Sequence, residues 1–284
     1  MTKFPLPPPP AAELPEDRGT RRLRLGVAYL GRGFEGWQAQ RVVRPGGAPP
    51  RTVQGELEGA LSSLLGAPVA VHGAGRTDAG VHAEGQVAHA DAPPGSPPIP
   101  PEGIQRALNS RLPPDVRVTS VAEAPASWHA RFSSAGKVYV YRLRRGAWLP
   151  PHAGLVEALA GEPLDVAAMR EAAALLVGRR DFAPFSVVGG SATTTVRTLF
   201  SLDVSEEGPV LVVTAVGDGF LRGMVRRLVG TLRDAGRGRI APGEAPARPG
   251  PTAEARGLTL ARVLYPPADP AAADPRRGLA GGAG

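Results

Sequence analysis

The sequence contains no cysteine. This absence excludes disulfides, thiolate metal sites, iron–sulfur clusters and thiol nucleophiles together. Long apolar runs are missing as well, and no stretch approaches the roughly 20 residues needed to span a bilayer. The first residues lack the apolar segment of a secretory signal. We therefore expect a soluble, cytoplasmic protein with no membrane partner.

Lysine is also scarce, whereas alanine, glycine, proline and arginine are abundant, as in proteins from GC-rich genomes. The 33 Lys and Arg residues exceed the 26 Asp and Glu residues, which gives a net charge of +7. A basic globular protein is often a nucleic-acid binder, although arginine enriched by genomic composition weakens that indication. The length of 284 residues is enough for two domains.

The chain divides by composition into two tails and two structured regions. Residues 1–20 are rich in proline, and residues 266–284 are rich in proline, alanine and glycine. Neither segment has enough apolar surface to offset the entropy lost on ordering, so both are predicted to be disordered tails. Residues 21–125 and 126–265 are the two predicted domains.

The first region has the element order β-α-β-β-α-β. Residues 22–29 alternate between apolar and polar side chains, as in a half-buried strand. Thr52 precedes an apolar stripe with helical spacing and is the predicted N-cap. The remaining predictions are strands at 69–71, 85–91 and 116–120, and a helix that begins at residue 100. This order is that of the ferredoxin-like unit.

The second region is predicted to repeat that order. The elements are a strand at 137–143, a helix capped by Asp165, a hairpin over 193–216, a helix at 220–235 and a strand at 258–265. The prediction is therefore an α+β fold of two ferredoxin-like, or RRM-like, subdomains. Their mainly antiparallel sheets could join edge to edge, with a cleft between the halves.

A glycine-rich segment, residues 73–83, carries an arginine and an aspartate two positions apart, Arg76 and Asp78. Glycine suits tight turns better than the interior of a helix or strand. Taken alone, the segment is best explained as a surface turn with a local salt bridge. A P-loop is excluded because Val81 and His82 stand where lysine and a hydroxyl residue are required. A dinucleotide-binding loop is excluded because its third glycine is missing.

Metal chemistry has little support in the sequence. His82 and Glu84 have the spacing of the zinc nucleobase deaminases, but the paired cysteines of those sites are absent. His72, His82 and His89 lack the spacing of a metal-binding helix and are better explained as turn and strand histidines. No metal is expected.

Two further groups of residues admit a functional interpretation. Arg222 and Arg226 lie one turn apart on the predicted helix, so they would project from the same side. They could form a solvated face, or they could bind a phosphate or fix a buried carboxylate. Tyr139 and Tyr141 share one face of a strand, where one could belong to the core and the other could stack on a base.

The chain resembles the TruA-type tRNA pseudouridine synthases over roughly residues 22–265. The resemblance begins with Gly75-Arg76-Thr77-Asp78-Ala79-Gly80-Val81-His82. Further motifs occur in the family's order: Gly36-Trp37-Gln38, Thr52-Val53-Gln54, Asn109-Ser110-Arg111-Leu112-Pro113, His129-Ala130-Arg131-Phe132-Ser133, Lys137-Val138-Tyr139-Val140-Tyr141, Asp181-Phe182 and Phe220-Leu221-Arg222-Gly223-Met224-Val225-Arg226.

The resemblance implies an isomerase that converts uridine to pseudouridine at positions 38, 39 and 40 of the tRNA anticodon stem-loop. It also implies a homodimer and a basic cleft between two ferredoxin-like halves. Asp78 matches the catalytic nucleophile, Arg76 an arginine that helps to displace the target base, Tyr139 the active-site tyrosine and Arg222 the basic partner of the aspartate. Substrate contacts are expected from Tyr139, Arg226, Arg131 and Gln38.

The reaction breaks the bond from uracil N1 to the ribose and rejoins the base through C5. It is redox-neutral and needs no phosphate donor, so no cofactor is expected. A non-catalytic RNA-binding module built on paired RRM-like sheets is the alternative hypothesis.

Overall fold

A computed structural model of the chain describes residues 21–40, 49–189 and 192–266. Within these ranges the chain forms ten strands and four α-helices. The strands are β1 (Arg21–Tyr29), β2 (Val71–Gly73), β3 (His82–Ala92), β4 (Val116–Ala124), β5 (Gly136–Arg144), β6 (Ala158–Leu159), β7 (Gly178–Asp181), β8 (Val196–Glu207), β9 (Val210–Gly217) and β10 (Leu258–Leu264). The helices are α1 (Val53–Leu65), α2 (Pro101–Arg111), α3 (Val166–Leu176) and α4 (Met224–Gly236). The two predicted tails lie outside the described residues, apart from residue 266.

All ten strands belong to one sheet with the order β4-β1-β3-β10-β5-β9-β8-β7. Most neighbours are antiparallel, while the pairs β3–β10 and β5–β6 are parallel. β2 pairs with β3, and β6 pairs with β5, beside this path. The predicted mixed α+β fold with a mainly antiparallel sheet is therefore confirmed. The two halves of the chain meet where Thr259 and Leu260 of β10 pair with the start of β3.

Local sequence explains where the helices begin and end. The Thr52 side chain accepts a hydrogen bond from the Gly55 amide, and Gly66 ends α1 with a φ of 76°. The Asp165 carboxylate accepts from the amides of Ala167 and Ala168 at the start of α3. Such side chains satisfy amides that would otherwise lack a partner in the first helical turn. Both predicted N-caps are confirmed.

The start of the last helix was predicted wrongly. α4 begins at Met224 rather than at residue 220, because Gly223 takes a φ of 70° and interrupts the helical backbone. Arg222 therefore precedes the helix, and its expected one-turn relationship to Arg226 does not hold. Residues 220–223 instead form an approach segment whose end is fixed by the hydrogen bond from the Val187 amide to the Arg222 carbonyl.

One continuous apolar core joins both halves and includes side chains of all four helices. Tyr139, Tyr141 and Leu143 point into it from β5, as their alternation predicted. A smaller cluster of Val140, Val210 and Val212 lies on the opposite face of the same strands. None of the helices in the described part of the chain has the length and apolar character needed to cross a membrane.

Candidate active site

The loop between β2 and β3 carries Arg76 and Asp78, and the residue between them is held on two sides. Thr77 is buried, and its hydroxyl lies 2.8 Å from the hydroxyl of Tyr29 on β1. Its carbonyl accepts a hydrogen bond of 3.1 Å from the Trp37 amide. Because Thr77 is fixed by both groups, the two charged side chains beside it leave the loop in set directions.

Two glycines allow the backbone geometry of this loop. Gly36 has a φ of 100°, and a Cβ at this position would lie 2.7 Å from the Thr77 carbonyl oxygen. Gly80 has a φ of 79° and lies in a turn. The Val81 amide closes this turn by donating a hydrogen bond of 3.1 Å to the Asp78 carbonyl. Only glycine adopts such φ values at little cost. Gly80 thus supports the turn that the glycine-rich segment predicted, whereas the contribution of Gly36 was not part of that prediction.

Asp78 faces two guanidinium groups from the second half of the chain. Arg226 Nη1 lies 3.6 Å from Oδ2, and Arg222 Nε lies 3.9 Å from Oδ1. The Arg226 side chain is 20% exposed and also donates to the Ala253 carbonyl, whereas the Arg222 side chain is 53% exposed and donates to the Val188 carbonyl. Arg222 thus lies beside Asp78 as expected, and Arg226 is the nearer and better fixed cation.

Arg76 is exposed and makes no ion pair or side-chain hydrogen bond within the described ranges. The local salt bridge to Asp78, which the loop sequence alone favoured, is not formed there. The partners of Asp78 come from residues far away in the sequence instead. The Arg76 side chain is therefore exposed, two residues before Asp78 in the same loop.

Tyr139 lies below this site. Its side chain is buried and packs edge to face against Phe220, with ring centroids 5.1 Å apart. Burial raises the pKa of the Tyr139 phenol, and the charge of Asp78 contributes to the shift. Tyr139 therefore stays protonated at neutral pH. Tyr141 is fully buried and belongs to the core.

The two other predicted substrate contacts lie at the flanks. Gln38 donates a hydrogen bond to the Gln54 side chain. It follows Trp37, whose amide donates to the Thr77 carbonyl in the active-site loop. Arg131 is exposed, with its guanidinium carbon 5.7 Å from the centroid of the Phe132 ring. Neither residue contacts Asp78 directly within the described part of the chain.

Sequence reasoning missed two buried polar residues under the loop. Gln86 is fully buried in β3 and donates to the Gly75 carbonyl at 2.8 Å. Lys137 is 9% exposed at the start of β5, and its Cε would lie 2.9 Å from a Cβ placed on Gly75. A polar residue at an inward position of a predicted strand was the available signal for both.

The described residues contain no group of three or more His, Cys, Asp or Glu side chains that could hold a metal ion. A cavity of about 340 Å³ lies where Leu155 meets the first half of the chain, and Asp78 is not among its lining residues. Its lining consists of Leu30, Arg32, Gly33, His82, Asp115 and Leu155.

The arrangement defines a class of site. A partly exposed carboxylate, two guanidinium groups within 4 Å and a protonated tyrosine suit nucleophilic or acid–base chemistry on an anionic substrate. The loop motif and the residues around Asp78 are those that resemble one known family of enzymes.

Comparison with known proteins agrees with that resemblance. A family model described as tRNA pseudouridine synthase matches residues 26–133 and 172–266. The tRNA pseudouridine synthase A of Oleidesulfovibrio alaskensis is 42% identical over 86% of this chain and 96% of its own length. That of Geobacter sulfurreducens is 41% identical over 86% of this chain and 100% of its own. The chain therefore belongs to the tRNA pseudouridine synthase family.

A solved structure of a Cbf5–Nop10–Gar1 complex aligns with 84% of this chain and 48% of its own. The alignment has 14% identity and a TM-score of 0.35, which is too low to bear on the fold.

Proposed function

We propose that the protein isomerises uridine to pseudouridine at positions 38, 39 and 40 of the tRNA anticodon stem-loop. The observation that carries the proposal is Asp78, which lies in the family's loop motif and faces Arg226 and Arg222 across the two halves of the chain. The exposed Arg76 adds positive charge for the RNA at the same place. Binding of a polyanion is driven largely by such cations.

The reaction balances without a cofactor. The bond from uracil N1 to ribose C1′ breaks, the base turns, and C1′ bonds to C5. C5 loses a proton and N1 gains one, so no oxidant or group donor is required. Asp78 supplies the carboxylate for this exchange, and Tyr139 supplies a protonated phenol beside it.

Arg76 has a role before the chemistry. A uridine in or near a paired stem must leave the base stack, which costs a few kcal/mol. An exposed guanidinium can take the place of the departing base by stacking on its neighbours. Arg131 and Gln38, on the flanks of the loop, are proposed to contact the RNA outside the target nucleotide.

We also propose that residues 21–125 and 126–265 are ferredoxin-like subdomains that flank a basic cleft. Supporting this, the strand orders β4-β1-β3-β2 and β10-β5-β9-β8 place the four main strands of each half in the same sequence of positions. The homodimer and the cytoplasmic location implied by the family resemblance belong to the same proposal. Sedimentation velocity of the purified protein tests the dimer.

Replacement of Asp78 by asparagine tests the function. We expect Asp78→Asn to bind tRNA normally but to lose on the order of 10³-fold or more in turnover, because a neutral amide is neither nucleophile nor base. Tritium release from tRNA labelled at uridine C5 measures turnover, and filter binding measures affinity. Asp203→Asn, which changes an exposed carboxylate on β8, is the matched control.

Near-normal turnover by Asp78→Asn would remove the carboxylate from the mechanism. Mapping of pseudouridine in previously unmodified tRNA separates catalysis from the alternative, a non-catalytic RNA-binding module. That module would leave every uridine unchanged although the RNA is bound.

A further inference from the structure

The chain contains only two lysines among its 33 basic residues, Lys3 and Lys137. Arginine is strongly favoured over lysine elsewhere in the sequence, so the lysine at the start of β5 is an exception. The two side chains differ in chemistry, since lysine ends in a compact ammonium whereas arginine ends in a broad planar fork. A buried position with room only for a narrow side chain that ends in a compact cation would explain a lysine in this chain.

The surroundings of Lys137 are of that kind. Its backbone is paired on both sides, with Gly217 of β9 and Val263 of β10, so the direction of the side chain is fixed. The side chain is 9% exposed and runs under Gly75, with Cε 2.9 Å from the position of a glycine Cβ. Gly75 lies three residues before Asp78, in the active-site loop.

Among the described residues, little negative charge offsets that of Lys137. The pKa of the ammonium is lowered to about 8, mainly by burial and also by the charges of Arg131 and Arg197, while Asp218 opposes the shift. The Asp218 carboxylate already accepts two hydrogen bonds of 3.0 Å from the Thr198 amide. No carboxylate of the described residues lies within 4.0 Å of the Lys137 ammonium, which therefore lacks an anion.

We propose that Lys137, together with Arg131, binds the phosphodiester next to the target uridine. This inference rests on the proposed function, because the RNA supplies the missing anion. Lys137 and Tyr139 are two residues apart on one strand and point to the same face, about 7 Å from each other. A phosphate held at Lys137 would thus fix the nucleotide whose base enters the site beside Tyr139 and Asp78.

The choice of a phosphate follows from the local charges. Lys137, Arg131 and Arg197 oppose a single carboxylate, Asp218, so the region attracts an anion more strongly than a neutral base. An ammonium donates to phosphate oxygens as a point charge and needs no particular fork geometry. Lys137 would act as a positioning residue for the substrate rather than on the reacting atoms.

The first test follows the Lys137 ammonium itself by NMR. Protein labelled with ¹³C-lysine contains only two lysine side chains, and Lys3→Arg assigns their signals. The Asp78→Asn variant is titrated with pH, alone and saturated with an anticodon stem-loop RNA. We expect the pKa of Lys137 to rise by about one unit or more in the complex, because a phosphate favours the charged form. An unchanged pKa with RNA bound would overturn the proposal.

The second test removes the charge of the phosphate. Stem-loop RNAs with a methylphosphonate on the 5′ or the 3′ side of the target uridine are compared with the unmodified RNA. For the wild type, we expect one of them to reduce kcat/KM by about tenfold or more. Lys137→Met is expected to show a similar loss on the unmodified RNA and little further loss on that methylphosphonate. Equal losses in both proteins would overturn the phosphate contact.

Lys137→Met keeps a long methylene side chain and removes a buried, unbalanced charge. It is therefore expected to raise the melting temperature, so slower turnover would not reflect unfolding. The NMR test needs RNA binding but no catalysis, so it tests the phosphate contact alone. Turnover of the wild type on unmodified RNA tests the proposed function separately.

Discussion

The two arginines that face Asp78 are not equivalent. Arg226 is nearer, at 3.6 Å against 3.9 Å, and its side chain is 20% exposed against 53% for Arg222. Arg226 is also held by its bond to the Ala253 carbonyl. Charge interactions weaken as exposure to water and salt increases. At the scale of single residues, the main counter-ion of Asp78 is therefore Arg226 rather than the Arg222 implied by the family resemblance.

We expect Arg226→Met to reduce kcat/KM on the order of 10²-fold and Arg222→Met by about tenfold, since the less exposed charge is screened less. Tritium release at low and high salt measures both, and high salt should shrink the loss caused by Arg222→Met more than the loss caused by Arg226→Met. Arg106→Met, at an exposed position of α2, is the control. A larger loss for Arg222→Met would show that the exposed arginine is the more important cation.

At the scale of elements, the sequence predicted most of the helices and strands, but not how α4 begins. Apolar spacing continues from Leu221 through Leu232, so the pattern alone gave no reason for the helix to begin as late as Met224. The break comes from Gly223, whose positive φ is invisible in a periodicity. A Cβ on Gly223 would also lie 2.5 Å from Val187 Cγ2. The α4 start therefore depends on a contact that only the folded chain reveals.

Gly223→Ala is expected to destabilise the fold by about 1–3 kcal/mol, because alanine disfavours this φ and meets Val187. It should also reduce turnover, since Arg222 and Arg226 flank this position. Gly59→Ala is the matched control: Gly59 lies in α1 with no atom near an added Cβ, and alanine should stabilise the helix by about 0.5–1 kcal/mol. Urea unfolding measures both. Equal effects of the two changes would argue against a special role for the Gly223 conformation.

At the scale of the whole molecule, the site depends on how the halves join. The order of elements predicted two similar halves, but it could not show which strand edges meet. In the structure β10 lies between β3 and β5, and Gly85 on β3 approaches so closely that a Cβ would lie 2.3 Å from the Ala261 carbonyl oxygen. This junction brings the start of α4, with Arg226 and the preceding Arg222, to the loop of Asp78. The short distances from Asp78 to Arg222 and Arg226 follow from that strand pairing, and no local sequence pattern could have predicted them.

The same folding buries His89, one of three histidines that lie together near the junction of the halves. His89 is 2% exposed and its Nδ1 accepts a hydrogen bond of 3.2 Å from the Ala130 amide. Its ring lies 4.4 Å from that of His129 and 5.0 Å from that of His72. The pKa of His89 is lowered to about 3, mainly by burial and also by the charges of His129, His72 and Arg22, while Asp91 opposes the shift. The folded protein therefore keeps His89 neutral in mild acid.

This burial makes the stability of the fold depend on pH. In the unfolded chain a histidine binds a proton near pH 6.5, whereas folded His89 does so near pH 3. Between these values the unfolded state binds more protons, so stability falls as the pH falls. One such histidine contributes at most about 1.4 kcal/mol per pH unit, and solvent screening reduces this.

We expect His89→Asn to make the free energy of unfolding less dependent on pH between about 6.5 and 4. The asparagine carbonyl can accept the bond from Ala130 but binds no proton, so the variant should lose stability more slowly than the wild type as acid is added. Urea unfolding at a series of pH values measures the two slopes. Parallel slopes would mean that His89 is protonated in the folded protein as readily as in the unfolded chain.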